Sequence, residues 1–141
     1  MILRRGFLWL FVLAYAIHAI EEARGLGRPH GIELSFAQFL IITVVALFLM
    51  IFSVALALRF GFPQLLTVIF ATAFALNGIS HLGNSVVFRL YDAGVVSGTL
   101  IFIPLGTMAL IRLSSSMTRR RFFCGIALGV AIQAIAMIIA F

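Results

Sequence analysis

Phe36-Ala-Gln-Phe-Leu-Ile-Ile-Thr-Val-Val-Ala-Leu-Phe-Leu-Met-Ile-Phe-Ser-Val-Ala-Leu-Ala-Leu58 carries no charge, and its only polar side chains are Gln38, Thr43 and Ser53. As a helix rising about 1.5 Å per residue, this run is long enough to cross a hydrocarbon core of ~30 Å. Ser35-Phe-Ala-Gln38 reads as a capping box at its start. Arg59-Phe-Gly-Phe-Pro63 reads as the tight turn that ends it, with Pro63 suited to the first turn of the next helix.

Similar apolar runs lie on either side. Helices are expected at about 6–24, 36–58, 63–88, 93–113 and 122–141, which makes residues 1–141 one integral membrane domain. The fold class expected is all-α, a polytopic transmembrane bundle of about five helices. Composition agrees: 64% of the residues are hydrophobic and 10% charged, with mean hydropathy +1.24. A soluble domain usually carries about 25% charged residues, so this chain has too little polar surface to cover a water-soluble globule. The lipid bilayer is its expected partner.

The formal charge is +6, and all ten basic residues are arginines. They sit at the ends of apolar runs, where they read as topology signals rather than a nucleic-acid surface. With five helices and the N-terminus cytoplasmic, seven arginines fall inside (Arg4, Arg5, Arg59, Arg112, Arg119, Arg120, Arg121) and three outside (Arg24, Arg28, Arg89). The bias predicts a bacterial-type plasma-membrane protein with its N-terminus in the cytoplasm and its C-terminus outside. Arg4-Arg5 followed by an apolar run and Ala14-Tyr15-Ala16 has the outline of a cleaved signal. The run continues to Ile20, however, and an uncleaved first helix fits it better. Cys124 is the single cysteine, so the chain forms neither an internal disulfide nor a cysteine metal cluster.

The chemistry collects at the end of the first run, in His18-Ala-Ile-Glu21-Glu22. Helix positions i, i+3 and i+4 share a face, so His18, Glu21 and Glu22 are expected to point the same way. Asn77 and His81, at i and i+4, share a face in the third helix. The first and third helices run in the same direction, which brings the two sets to one side of the membrane at similar depth. The start of the fourth helix (Gly94, Ser97, Thr99) lies on that side too. Glutamates at an interface are ordinary, and Glu21 could simply pair with Arg24 or lie near Arg28. His81, several residues inside a membrane helix, is harder to explain in that way, because ionisable groups there are costly.

Imidazole nitrogen with carboxylate oxygen suits zinc or non-haem iron. His18, Glu21, Glu22 and His81 are therefore the expected ligand set for a divalent metal. One glutamate binds while the other acts as general base or orients a ligand, and the sequence leaves open which is which. Asn77 and Ser97 are expected to support the site by hydrogen bonding. A remaining coordination position would hold a water whose pKa the metal lowers.

Other features have plainer readings. His30 reads as a solvated loop residue, Gln133 as an interhelical hydrogen-bonding group, and Trp9 and Tyr15 as lipid-facing or packing residues. Asp92 reads as the N-cap of the fourth helix and Pro104 as a kink within it. Gly125 and Gly129 allow close approach of another helix. No nucleophile elbow, phosphate loop or nucleotide fingerprint is present.

His18-Ala-Ile-Glu21-Glu22 and Asn77-Gly-Ile-Ser-His81 together resemble the HXXEE family of small integral membrane proteins, whose further motifs are N-x-x-x-H and P-G-x-x-T. Ala93-Gly94-Val95-Val96-Ser97 stands at the last of these, with Ala for Pro and Ser for Thr. The resemblance covers almost the whole chain. It implies a multi-helix membrane domain suspected of binding metal and of enzymatic activity, with no reaction assigned. Three functions remain open: a metal-dependent enzyme acting on a lipid or other apolar substrate, a transporter component, and a structural or partner-binding membrane protein. The first predicts a site in the outer half of the bilayer. The second needs a polar path across the whole membrane. The third needs the polar cluster to be satisfied internally.

Overall fold

The computed structural model describes residues 6–26 and 34–140, and these are helical throughout apart from short turns. The helices are α1 (Phe7–Ala23), α2 (Phe36–Phe60), α3 (Pro63–Phe88), α4 (Val95–Ser114) and α5 (Arg119–Ala140). The basic lead with Arg4 and Arg5, and Arg28, His30 and Glu33 of the loop after α1, lie outside the described residues. Four of the helices, α2 to α5, are long and apolar enough to cross a membrane. The chain is an all-helical integral membrane protein. α1, at 17 residues, is slightly shorter; at about 1.5 Å per residue it measures ~26 Å.

Local signals set the element ends. Ser35 and Gln38 form the reciprocal capping box at the start of α2. Gly61 ends α2 in the left-handed region, and Pro63 stands in the first turn of α3. At the other end of α3, Arg89 takes φ 53°, turning the chain at once toward α4. α5 begins at Arg119, three residues before the expected Phe122. Nothing in Arg119-Arg-Arg121 breaks a helix, and the exposed guanidinium groups can extend toward water.

α3 is the central element. Of its membrane-length stretch 56% is buried inside the protein, against 11% for α2 and 17% for α5. α5 packs on α3 through a buried stripe of Gly125, Gly129 and Gln133. A Cβ on Gly129 would lie 2.6 Å from the Ile69 carbonyl oxygen, so the missing side chains are what bring the two backbones together. α1 packs against α2, α3 and α4. The apolar faces left outside, including Ile41, Phe48, Phe52, Val130 and Ile138, suit lipid.

Inside α4, Gly98–Phe102 forms a π-helical turn, in which the Ile103 N–H reaches back to the Gly98 carbonyl. Pro104 follows directly. Its ring would crowd the carbonyl four residues earlier in a regular α-helix, and the wider turn relieves this without ending the helix. Gly98 also lies against Gly78 of α3, where a Cβ on Gly78 would be 2.5 Å from the Gly98 oxygen. This contact seats the start of α4 against the polar end of α3.

Candidate metal centre

The last turn of α1, the polar end of α3 and the start of α4 converge. His18 is 1% exposed. Its Nε2 lies 3.4 Å from Glu22 Oε1, and His81 Nε2 lies 3.4 Å from the same oxygen. The two imidazoles meet edge to face with centroids 5.0 Å apart. One ligand atom from each of His18, Glu22 and His81 falls within 4.8 Å of the others, a grouping of the size that holds a metal ion.

The hydrogen bonds behind the rings set where their protons sit. Ser97 Oγ is 2.5 Å from Glu21 Oε2 and 2.7 Å from His18 Nδ1. A hydroxyl has one proton to give, and the carboxylate, which can only accept, takes it. The Gly94 carbonyl, at 3.5 Å, is the poorer alternative. Ser97 Oγ must then accept from His18, which places the His18 proton on Nδ1 and leaves a lone pair on Nε2. His81 Nδ1 lies 3.1 Å from Asp92 Oδ2, and a carboxylate there again fixes the proton on Nδ1. When each ring is neutral its Nε2 is bare, and both Nε2 atoms face one carboxylate oxygen. His18 Nε2 is buried without a hydrogen-bond partner.

Lone pairs gathered away from water repel one another, and a buried carboxylate costs several kcal/mol unless paired. A cation resolves both. Two imidazole nitrogens with one carboxylate oxygen are the donor set of catalytic zinc and of non-haem iron. Gly94, at φ 104°, provides the space: a Cβ there would lie 2.7 Å from His18 Cε1 and 2.8 Å from His81 Cε1. Below the rings the core is aromatic. Phe102 lies 4.3 Å from His18, Phe74 stacks on Phe102 at 4.0 Å, and Phe11 meets Phe74 at 5.3 Å between centroids.

Glu21 and Glu22 are therefore separated. Glu22 faces the histidines. Glu21 faces the first turn of α4, where Oε1 accepts from the Val96 N–H (3.0 Å) and the Tyr91 hydroxyl (2.7 Å), and Oε2 accepts from the Ser97 N–H (2.8 Å) and hydroxyl. It caps α4 from another helix, satisfying N–H groups that have no partner within α4. Among the described residues no ion pair joins Glu21 to Arg24, the interfacial pairing the sequence allowed.

Asp92 does not cap α4 with its side chain. Gly94 is the N-cap residue and makes no side-chain cap bond, while the Asp92 carboxylate is engaged by His81. The sequence reading missed Asp92 as a partner of the site, along with Tyr91 and Ser85. Ser85, at i+4 from His81, accepts the Asp92 N–H at 3.1 Å; that spacing was the available signal. Asn77 Oδ1 and Thr99 Oγ1 are buried without hydrogen-bond partners.

The site and fold define a class: a small helical membrane protein with a histidine–carboxylate cluster gathered between three helices. The chain belongs to the family described as protein of unknown function with HXXEE motif, which matches residues 9–109, more than two thirds of its length. No curated protein and no solved structure matches it. The match spans every residue of the cluster, from His18 to Ser97, and leaves α5 outside.

Proposed function

We propose that this protein is a membrane-embedded metal-binding protein, in which His18 Nε2, His81 Nε2 and Glu22 hold a divalent cation, zinc or iron. One observation carries the reading: three lone-pair-bearing atoms converge within 4.8 Å, and the hydrogen bonds behind both rings direct the imidazole protons away from them. A metal there would supply Lewis-acid chemistry. The chain's own residues would do the rest. Glu21 holds α4 against α1, Ser97 and Asp92 orient the rings, and Gly94 keeps the space between the rings clear. Asn77 Oδ1, buried and unpartnered, is free to accept a hydrogen bond from a ligand.

The reaction this would serve is a metal-dependent step on a lipid or other apolar substrate in the outer half of the bilayer, with the N-terminus cytoplasmic. The support is the arginine bias and the apolar surroundings of the site. The aromatic column of Phe102, Phe74 and Phe11 fills the core next to the rings, which disfavours a polar path continuing across the membrane and so a transporter component.

A second reading has its own support. Glu22 stands 3.4 Å from both Nε2 atoms, so a proton on one imidazole could take the cation's place and the cluster would serve as a polar lock between α1, α3 and α4. X-ray absorption at the zinc and iron edges of protein purified without chelator separates the two. The metal reading predicts a nitrogen/oxygen coordination shell with the outer scattering of imidazole and no sulfur. No edge above background, or a shell lost on washing, would favour the lock.

A further inference from the structure

We infer that Asp92 is a positioning residue for His81: it fixes the ring's rotation and keeps its proton on Nδ1, so that Nε2 offers a lone pair to the cation. This rests on the metal reading above and adds a residue that lies outside the family's named motifs.

The argument begins with how Asp92 is held. α3 ends at Phe88, and Arg89 reverses the chain with a positive φ. Four residues after His81, on the same face, Ser85 Oγ accepts the Asp92 N–H at 3.1 Å. The Val95 N–H in turn donates to the Asp92 carbonyl at 3.0 Å. The backbone of Asp92 is thus fastened on both sides, and its side chain is delivered back onto α3, where Oδ2 meets His81 Nδ1 at 3.1 Å. The carboxylate is largely shielded, with 14% of its side chain exposed. Water therefore competes poorly for the bond.

The two histidines reach the same result by different means. His18 gives its Nδ1 proton to a hydroxyl whose own proton is committed to Glu21. His81 gives its Nδ1 proton directly to a carboxylate. Carboxylate behind imidazole behind metal is the arrangement in which an outer partner fixes the tautomer, orients the ring and raises its basicity; losing such a partner typically costs about 10–100-fold in metal affinity. An N-capping Asp would do none of this, and α4 starts two residues later, with Gly94 at the N-cap position and Glu21 accepting from the Val96 and Ser97 N–H groups of its first turn.

The test reads proton position and affinity separately. Protein labelled with nitrogen-15 at histidine is stripped of metal and studied in nanodiscs at a pH above the end of the His81 titration, followed in the same spectra, so that each ring carries one proton. Long-range proton–nitrogen spectra report which ring nitrogen carries the proton. In the native protein both histidines should show a protonated Nδ1 and a bare Nε2. Asp92→Ala should move the His81 proton toward Nε2, leave the His18 pattern unchanged as a control for folding, and weaken binding of titrated zinc chloride by about 10–100-fold. Asp92→Asn, whose amide oxygen can accept the same hydrogen bond, should restore the Nδ1–H form and most of the affinity. A native His81 protonated on Nε2 alone would overturn the assignment. So would an Asp92→Ala protein with unchanged His81 signals, or an Asp92→Asn protein that behaves as Asp92→Ala does. The metal reading fails separately: a native protein with the expected tautomers and no zinc binding would defeat it and leave the role of Asp92 standing.

Discussion

Glu21 and Glu22 are neighbours in sequence and in the same turn of α1, yet they belong to different parts of the molecule. Glu22 lies against His18 and His81, with both Nε2 atoms 3.4 Å from its Oε1. Glu21 lies a rotation of about 100° away and accepts four hydrogen bonds from α4 and the turn before it. One carboxylate faces two imidazole nitrogens; the other is satisfied by N–H and O–H donors. A pair of identical side chains in a membrane helix need not share a function. What separates them is which neighbouring helix each one faces.

The contrast can be broken by substitution, and the largest effect is expected at the convergent side. Glu22→Gln removes the anionic ligand and should weaken zinc binding beyond the ~100-fold typical of losing an outer partner, read by calorimetric titration; unchanged affinity would remove Glu22 from the site. Gly94→Ala comes next. It forces a side chain into a left-handed conformation, at a cost of about 1–3 kcal/mol, and drives its Cβ between the two rings. It should lower both the thermal midpoint and the zinc affinity, and native-like values for both would show that the rings have room elsewhere.

Glu21→Gln sharpens the comparison. The amide keeps one acceptor oxygen where the carboxylate offered two, so either the Val96 or the Ser97 N–H loses its acceptor and faces an NH2 donor instead. Helix capping of this kind is worth about 1 kcal/mol. Thermal unfolding should register that loss, with zinc affinity changed by less than in Glu22→Gln. If Glu21→Gln abolishes binding while Glu22→Gln spares it, the two roles are reversed. The smallest effect belongs to Arg24→Gln. With no ion pair to Glu21, it should stay within about 0.5 kcal/mol of native stability, and a larger loss would revive the interfacial pairing.

The membrane fold was legible because it depends on sums over long segments. The uncharged run Phe36–Leu58, the Ser35–Gln38 box and the Gly61-Phe-Pro63 turn each have one cheap conformation, and the structure adopts them. The presence of His18, Glu22 and His81 at one place followed from helix direction alone, since two parallel helices put their late residues on one side. Three features were not legible. The fate of Glu21 depends on where α4 begins, which a three-dimensional contact decides. The π-helical turn before Pro104 replaces the expected kink, because a wider turn relieves the ring clash without ending the helix, a choice invisible to periodicity. Asp92 satisfied every rule for an N-cap, but Arg89 and Ser85 turn the chain so that its side chain meets His81 first. For Glu21 and Asp92 a local preference lost to packing between helices that are distant in sequence.

The central claim is that His18, Glu22 and His81 hold a metal, and metal content tests it most directly. Protein purified without chelator, native and as His18→Ala, His81→Ala, Glu22→Gln and Arg24→Gln, is analysed by inductively coupled plasma mass spectrometry against protein concentration. The account predicts equimolar zinc or iron in the native and Arg24→Gln proteins and background levels in the other three. Equal, substoichiometric metal in all five would contradict it.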